Sequence, residues 1–125
     1  MKLAHGIDIV SVKRIRQAIG RGKSGFLKRV YTRREKDYCK LRARCFEHYA
    51  ARFAAKEALI KALGDKAHCV AMNQIEIRNQ PSGKPRIVLS PAVLKKAGLS
   101  RKNQIELSLS HDRDYAIASV IILQL

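Results

Sequence analysis

The sequence predicts an α+β protein in which an antiparallel sheet packs with a long central helix. Helix-forming patterns cluster between residues 11 and 63, and alternating apolar segments fill most of the chain after residue 74. This segregation of helices and strands is typical of the α+β class. The 125 residues contain no internal repeat, low-complexity tract or linker, so we expect residues 1–125 to form one domain.

The N-terminal segment predicts a strand and then a short helix. Apolar and polar residues alternate loosely over residues 3–10, and the segment ends in an apolar run, as strands do. Ser11 can cap a basic helix that extends through Ile19. Glycines follow at positions 20, 22 and 25, so we expect the helix to stop there and the chain to resume its pattern at Phe26.

Two further helices are predicted before residue 64. Thr32 and Glu35 form a capping box, in which each side chain bonds the free backbone N–H of the other residue, and this helix should reach about Leu41. Residues 47–63 are rich in Ala, Leu, Lys and Glu and are followed by Gly64, so they carry the strongest helix prediction of the chain.

The second half of the chain alternates with the period of strands. Residues 74–78 and 85–89 flank a Pro-Ser-Gly turn and predict one hairpin. A short helix is expected over residues 90–98, because Ser-Pro at its start supplies a cap and an N1 proline and glycine closes it. Residues 104–110 and 115–123 alternate on either side of a polar turn and predict a second hairpin.

The chain is strongly basic, with 26 Lys and Arg against 10 Asp and Glu and a net charge of +16. Residues 1–44 carry 14 basic and 3 acidic side chains and hold most of this excess. Such a charge attracts nucleic acid, polyphosphates or an acidic protein. Aromatic residues make up only 6% of the chain and no nucleic-acid-binding motif occurs, which disfavours the first of these partners.

The cysteines and the hydropathy indicate a cytoplasmic protein. Cys39, Cys45 and Cys69 form no Cys-x-x-Cys pair, so reduced thiols are expected rather than a disulfide framework or a zinc site. No apolar run reaches the length of about 18 residues that a membrane span needs. The N-terminus is too short and too polar for a secretory signal.

Two carboxylates stand among apolar neighbours and are candidates for chemistry. Asp8 interrupts an apolar strand, and helical geometry places Glu57 on the same side as Phe53 and Ile60. The structural alternatives are a solvated strand edge for Asp8 and an i,i+4 ion pair between Glu57 and Lys61. Burial of a carboxylate is costly without a compensating cation, and two carboxylates with substrate phosphates and waters can bind Mg²⁺.

Two turn residues carry weaker signals. His111 begins the polar turn of the last hairpin, where it could contact a phosphate, carry a proton or be an ordinary surface residue. Lys84 follows Gly83, but the spacing and the next residue differ from those of a Walker loop.

A specific Arg-Phe-Ala-Ala-Lys-Glu-Ala motif occupies residues 52–58, within the helix predicted over residues 47–63. Together with five other segments, this motif resembles the holo-[acyl-carrier-protein] synthases, which are 4'-phosphopantetheinyl transferases of the short, single-half type. The resemblance covers nearly the whole chain, in order. The matching segments are Gly6–Val10, Lys13–Ile15, Arg52–Ala58, Lys61–Gly64, Asn79–Pro85 and Ser108–His111.

The resemblance implies both a fold and a reaction. The fold is that of a phosphopantetheinyl transferase, and the reaction moves 4'-phosphopantetheine from coenzyme A to a serine of apo-acyl carrier protein, giving adenosine 3',5'-bisphosphate. It also implies a role in fatty acid biosynthesis and a homotrimer whose active sites lie between subunits. The expected partners are therefore coenzyme A and an acidic carrier protein, with neither nucleic acid nor membrane.

By this resemblance Asp8 and Glu57 are the Mg²⁺ ligands, and Lys61 neutralises the diphosphate of coenzyme A. The catalytic set is completed by His111, and the general base is Asp8, Glu57 through a water molecule, or His111. The resemblance assigns coenzyme A contacts to Arg52, Lys61, Gly83, Lys84, Pro85 and His111.

The resemblance assigns carrier docking to Arg14, Arg21 and Lys23 of the basic first helix. The chain departs from the family pattern at Ser24-Gly25, where another basic residue is common. It also departs at Asp112, where a neutral hydroxyl is commoner, so a phosphate contact there is expected to be weakened.

Overall fold

A computed structural model describes residues 1–125, apart from the side chain of Lys23, and confirms the α+β class. Two short 3₁₀ turns, Gly64–Cys69 and Met72–Gln74, connect the helix that ends at Leu63 to the second half of the chain. The helices and strands are β1 (Lys2–Ser11), α1 (Val12–Val30), α2 (Arg33–Lys40), α3 (Cys45–Leu63), β2 (Glu76–Asn79), β3 (Pro85–Val88), α4 (Pro91–Lys96), β4 (Gln104–His111) and β5 (Tyr115–Gln124).

The sheet is antiparallel, with strand order β1-β5-β4. The last strand pairs with β1 over its whole length, and the register places Ile9 opposite Ile117 and Leu3 opposite Leu123. On its other side, β5 pairs with β4 in the predicted hairpin. The predicted hairpin of β2 and β3 forms a separate two-stranded sheet.

The long helix α3 packs on the inner face of the three-stranded sheet. Its alanines at 50, 54, 55 and 58 are almost fully buried, as are Ala116 and Ala118 on the facing strand β5. Small side chains on both surfaces bring the helix backbone close to the sheet, and larger side chains such as Leu59, Val120 and Ile122 fill the space around them.

The predicted interruption of α1 is wrong. The helix runs without a break from Val12 to Val30, through all three glycines. Its apolar side chains keep the helical spacing, and Ile15 and Val30 are buried while the Phe26 ring stacks on Phe53 at 6.3 Å. A glycine costs a helix about 1 kcal/mol relative to alanine, and burial of these side chains offsets that cost.

A buried ion pair connects α2 to α3. Lys56 Nζ donates to Glu35 Oε1 at 2.6 Å, and both side chains are fully buried. Lys56 also donates to the carbonyl oxygens of Val30 and Met72, and Glu35 Oε2 accepts the backbone N–H of Ile77 at 2.8 Å. The same carboxylate completes the predicted capping box of α2, so one pair of side chains joins α1, α2, α3 and β2.

The described residues include no helix that is both long and apolar enough to cross a membrane. All three cysteines are free thiols, of which Cys39 is completely buried. Burial raises the pKa of the Cys39 thiol to about 12. This thiol is therefore a core side chain rather than a nucleophile.

Candidate active site

The inner face of β1 meets α3 at three charged residues, Asp8, Glu57 and Lys61. Gly6 permits this close approach, because a Cβ atom there would overlap the carbonyl oxygen of Ala58. Asp8 lies two residues further along β1, so its side chain lies on the same face of the strand, toward α3. The glycine thus brings Asp8 beside the helical turn that carries Glu57 and Lys61.

The ammonium group of Lys61 binds β1. Its Nζ donates to Asp8 Oδ1 at 3.1 Å and to the carbonyl oxygen of Ile7 at 3.0 Å. The side chain of Asp8 is 15% exposed and that of Lys61 is 54% exposed. The ion pair therefore links α3 to β1 at the edge of solvent, instead of bridging Glu57 and Lys61 along the helix.

Glu57 is half-buried beside this pair. Burial raises the pKa of its carboxyl, the negative charge of Asp8 raises it further, and Lys61 opposes both effects. The two carboxylates therefore repel each other in a partly desolvated place, and a bound cation would relieve that repulsion.

The donor set at this place suits magnesium. Within the described part of the chain, no three or more His, Cys, Asp or Glu side chains are grouped to hold a metal ion. Asp8 and Glu57 would supply two oxygen ligands, which is the number that Mg²⁺ commonly takes beside waters and substrate phosphates. The oxygen-only chemistry of these two residues also matches the preference of this hard cation.

A second group of residues surrounds the guanidinium of Arg52. Its Nη2 donates to Asn79 Oδ1 at 2.7 Å, and its Cζ lies 4.2 Å from the centre of the Tyr38 ring. Arg52 is only 4% exposed, and its Nε has no hydrogen-bond partner among the described residues. A buried donor without a partner costs roughly 1–3 kcal/mol, so an anionic ligand is the natural partner for this group.

A cavity of about 200 Å³ opens at Arg52. It brings together α2, α3 and the ends of β2, β3 and β4, so residues that are distant in sequence share its wall. The lining residues are Tyr38, His48, Ala51, Arg52, Asn79, Pro85, Leu109 and His111.

The turn between β2 and β3 holds the other predicted coenzyme A contacts. Gly83 adopts a φ of 90°, which favours glycine, and its carbonyl oxygen accepts from Asn79 Nδ2 at 3.1 Å. Asn79 thus connects this turn to Arg52. Lys84 is exposed beside Pro85, which lines the cavity.

His111 lies at the end of β4, against the first turn of α3. Its Nδ1 is 3.3 Å from Oε1 of the buried Glu47 carboxylate, and its ring meets the His48 ring at a centroid distance of 5.6 Å.

Asp112, the residue after His111, has a different role. Asp112 Oδ1 accepts the backbone N–H groups of Asp114 and Tyr115 at 2.8 Å, and these bonds lower the pKa of the Asp112 carboxyl.

The predicted docking residues lie on α1. Arg14 and Arg21 are both exposed, and seven residues of helix place them two turns apart on one side. The side chain of Lys23, the third predicted docking residue, lies outside the described part of the chain. Between the two arginines, Arg16 lies over the Phe46 ring at 5.1 Å and so connects this surface to α3.

The structure thus gathers the predicted metal and coenzyme A residues into two groups beside α3, one around Glu57 and one around Arg52, and leaves the docking residues on α1. Sequence reasoning missed the supporting residues Tyr38, Glu47 and His48. The one available signal is the spacing of His48 and Arg52, which lie four residues apart and therefore on one face of a helix.

Comparison with known proteins identifies the family of the chain. Residues 4–120 match the model of the 4'-phosphopantetheinyl transferase superfamily. A holo-[acyl-carrier-protein] synthase of Desulforudis audaxviator is 43% identical over 121 residues, covering 97% of this chain and 92% of that protein.

Two solved structures share the fold over nearly the whole chain. A holo-(acyl-carrier-protein) synthase of Bacillus anthracis in complex with CoA (3',5'-ADP) is 31% identical, with a TM-score of 0.77 over 98% of this chain and 96% of that one. The ACPS-CoA complex of Chronobacterium ammoniagenes is 27% identical, with a TM-score of 0.86 over 100% and 99%. The chain therefore belongs to the 4'-phosphopantetheinyl transferase superfamily and, within it, to the holo-[acyl-carrier-protein] synthase family.

Proposed function

We propose that this chain transfers 4'-phosphopantetheine from coenzyme A to a serine hydroxyl of an apo-acyl carrier protein and releases adenosine 3',5'-bisphosphate. The observation that carries the proposal is the meeting of Asp8, Glu57 and Lys61 where β1 packs on α3. Transfer to phosphorus depends mainly on positioning and on charge stabilisation, and this group provides charges of both signs. The names of the relatives and the coenzyme A bound in the neighbouring structures support the same substrates.

Asp8 and Glu57 would hold Mg²⁺, which supplies positive charge that polarises the phosphoryl oxygens when it is bound. Lys61 lies beside Asp8 and would place its ammonium near the diphosphate of coenzyme A. There it would stabilise the departing adenosine 3',5'-bisphosphate. The ion pair to Asp8 fixes that ammonium at the edge of solvent, within reach of a ligand.

The cavity at Arg52 would receive the phosphates of the nucleotide. Arg52 lines this cavity and its guanidinium would supply positive charge to the phosphates, and His111 shares the same wall. The turn Gly83–Pro85, which includes Lys84, would contact the nucleotide from the other side. Arginine suits this role because its planar guanidinium binds phosphate through directed hydrogen bonds.

Mass spectrometry tests the proposed reaction directly. An apo-carrier protein incubated with this chain, coenzyme A and Mg²⁺ should gain the mass of one phosphopantetheine group. Omission of coenzyme A, or a carrier whose acceptor serine is replaced by alanine, should leave the mass unchanged. An unmodified carrier in the complete reaction would contradict the proposal.

The exposed arginines of α1 would dock the carrier. The net charge of +16 and the exposure of Arg14 and Arg21 support an acidic partner surface. Rim charges act mainly on the association rate and on salt sensitivity. We therefore expect Arg14→Glu and Arg21→Glu each to raise the KM for the carrier about tenfold, with little change in the KM for coenzyme A.

Steady-state kinetics with each substrate varied in turn measure this effect. Lys102→Glu, an exposed charge reversal in the turn before β4, is the matched control and should leave both KM values near those of the wild type. A charge reversal on the carrier from acid to lysine should partly rescue Arg14→Glu. Unchanged carrier kinetics together with a loss of RNA or DNA binding would favour the nucleic-acid partner instead.

We also propose that residues 1–125 act as one domain in a cytoplasmic homotrimer whose active sites lie between subunits. The outer face of the three-stranded sheet supports assembly, because its apolar side chains are exposed to solvent. Ile7, Ile9, Ile117 and Ile121 are 50%, 62%, 37% and 40% exposed and lie side by side on β1 and β5. An exposed apolar patch of this kind is typical of an interface. The free thiols suit a reducing compartment.

Light scattering coupled to size exclusion tests the assembly. The wild type should elute with three times the mass of the chain, and Ile121→Glu should reduce the mass to that of a monomer and abolish transfer. Leu41→Glu changes an exposed apolar residue at the end of α2 and should keep both the mass and the activity. An active wild-type monomer would contradict the trimer.

A further inference from the structure

The ring of Tyr38 lies between two arginines at the wall of the Arg52 cavity. The Cζ atom of Arg42 is 4.0 Å from the ring centre, and that of Arg52 is 4.2 Å from it. Two guanidinium groups cannot share one face of a ring at these distances, so they cover opposite faces. The His48 ring meets the same tyrosine at 5.7 Å, with 80° between the planes. Tyr38 is therefore the centre of a stack that joins the end of α2 to α3.

The two arginines of this stack are held in different ways. Arg52 is 4% exposed, and its Nη2 is fixed by the hydrogen bond to Asn79 at 2.7 Å. Arg42 lies in the turn after α2 and is exposed. Among the described residues its guanidinium has no hydrogen bond or ion pair besides its contact with the Tyr38 ring. The position of Arg42 thus depends on the ring, whereas Arg52 has a second anchor.

No carboxylate compensates the two charges of the stack. Among the described residues, neither Arg42 nor Arg52 forms an ion pair. The acids of the adjoining turns already have cationic partners: Asp37 has Arg33 and Lys40, and Glu47 has Arg44 and His111. Burial lowers the pKa of the neighbouring His48, and the charges of Arg52 and Arg42 lower it further. The stack is therefore a place of uncompensated positive charge that attracts an anion.

The cavity beside the stack is too small to enclose a nucleotide. Its volume is about 200 Å³, whereas pockets that enclose a small-molecule ligand commonly have about 300–1,000 Å³. A nucleotide that enters this cavity therefore extends past its rim. Tyr38 lines the cavity, and Arg42 is exposed on the far face of the Tyr38 ring, so Arg42 lies at that rim.

We propose that Tyr38 is a positioning residue that holds Arg42 at the rim of the cavity, where Arg42 binds a phosphate of the coenzyme A nucleotide. The planar guanidinium binds phosphate through directed hydrogen bonds, and stacking on the ring fixes the plane of that group. A group that is ordered before binding loses less conformational freedom when the ligand arrives. The inference rests on the proposed function for the identity of the nucleotide, but its test needs neither the carrier nor the transfer step.

Calorimetry with adenosine 3',5'-bisphosphate, the product nucleotide, tests the phosphate contact. Arg42→Ala should raise the Kd on the order of 10- to 100-fold, because it removes a charged hydrogen-bond donor from a phosphate. Arg101→Ala changes an exposed arginine in the turn before β4 and should keep the wild-type Kd. Equal Kd values for the wild type and Arg42→Ala overturn the inference, and so does a wild type that binds no nucleotide.

The role of the ring follows from combining two substitutions. Tyr38→Leu should raise the Kd about two- to fivefold, which is the effect of losing a cation–π contact at an exposed site. In the Arg42→Ala background the same change should have little further effect, because the group that the ring holds is gone. Tyr38→Phe keeps the ring, and the Tyr38 hydroxyl has no hydrogen-bond partner among the described residues, so this variant should bind like the wild type.

An equal loss from Tyr38→Leu in both backgrounds would show that Tyr38 supports the site through packing alone and would refute its positioning role. If Tyr38→Leu does not fold, Arg42→Ala still decides the phosphate contact, because it changes only an exposed side chain. In the complete reaction, Arg42→Ala should raise the KM for coenzyme A and leave kcat near the wild-type value, since this contact is the same in the bound substrate and in the transition state.

Failure of the proposed function is distinguishable from failure of this inference. If Arg42→Ala weakens nucleotide binding in a protein that modifies no carrier, the transfer reaction is refuted and the phosphate contact stands. If an active enzyme keeps its Kd for adenosine 3',5'-bisphosphate in Arg42→Ala, the contact alone is refuted.

Discussion

Transfer is expected to fall by at least about a thousandfold when either Asp8 or Glu57 is replaced by its amide, since charge stabilisers at phosphoryl-transfer sites contribute on that scale. Asp8→Asn and Glu57→Gln keep the size of each side chain and remove only the negative charge. Asp8→Asn also removes the anionic partner of Lys61, whose Nζ lies 3.1 Å from Oδ1. Either variant would leave a single carboxylate at the site. One carboxylate is too few to hold the metal ion where two residues supply the ligands.

The measurement is the initial rate of carrier modification, with Mg²⁺ affinity determined in parallel by calorimetry. EDTA should stop the wild type as completely as either substitution does, and added Mg²⁺ should restore the wild type alone. Asp37→Asn changes an exposed acid of α2 that pairs with Arg33 and Lys40, and it should keep wild-type activity. Full activity of the wild type in EDTA would contradict the metal assignment.

The pH dependence of Mg²⁺ binding follows from the electrostatics of Glu57. Burial and the charge of Asp8 raise the pKa of this carboxyl above its ordinary value, so the carboxylate form is lost at a higher pH than in an exposed glutamate. A metal ion needs the deprotonated form. Affinity for Mg²⁺ should therefore weaken as the pH falls through this raised pKa.

Local sequence rules predicted most of the elements correctly because these rest on short-range chemistry. The capping box of α2 is formed by Thr32 and Glu35 as expected, and Gly64 and Gly98 end helices with positive φ. Alternation identified the strands, since one face of the three-stranded sheet is buried against α3 and Ile77 of β2 is buried in the same core. The continuity of α1 could not be predicted, because the cost of its glycines is local whereas the packing of Phe26 on Phe53 is tertiary.

The contacts within the site depend on tertiary geometry, which the spacing of residues along the sequence does not specify. Periodicity placed Glu57 near the apolar side of α3, and the structure places it half-buried beside Asp8. Spacing also suggested a helical pair of Glu57 with Lys61, whereas Lys61 binds Asp8 across the β1–α3 contact. That outcome depends on Gly6, which allows β1 to approach α3 closely enough for Asp8 to compete with Glu57 for Lys61.

Buried charges on α3 were the hardest feature to predict. Glu47, Arg52 and Lys56 are all at least nine-tenths buried, although charged side chains are rarely so. A helix that is covered on nearly every side has no polar face that periodicity could identify. Their partners, His111, Asn79 and Glu35, all come from other elements of the fold, so only the folded structure shows how each charge is compensated.

The lysine of the Arg-Phe-Ala-Ala-Lys-Glu-Ala motif is expected to support the fold rather than the reaction. Lys56 is fully buried and donates to Glu35 and to two carbonyl oxygens, so it has no exposed atom for a substrate. Burial lowers the pKa of its ammonium, and the charge of Glu35 opposes that shift. The position of Lys56 at the junction of four elements predicts that its loss destabilises the core.

Lys56→Ala should therefore lower the free energy of unfolding by about 3–5 kcal/mol, because it leaves Glu35 buried without a counter-charge. Urea denaturation at fixed protein concentration measures this loss, since an assembled protein changes stability with concentration. Lys95→Ala, an exposed lysine of α4, should stay within roughly 0.5 kcal/mol of the wild type.

A double-mutant cycle separates the ion pair from the packing of the lysine stem. Lys56→Met keeps most of the apolar volume, and Glu35→Gln keeps the acceptor for the N–H of Ile77 while removing the charge. The double variant should recover part of the loss of Lys56→Met, giving a coupling energy of roughly 0.5–3 kcal/mol, because no unpaired charge then remains buried. If the losses of the two single variants simply add, the charges do not interact, and Lys56 stabilises the core through its stem and its hydrogen bonds to Val30 and Met72.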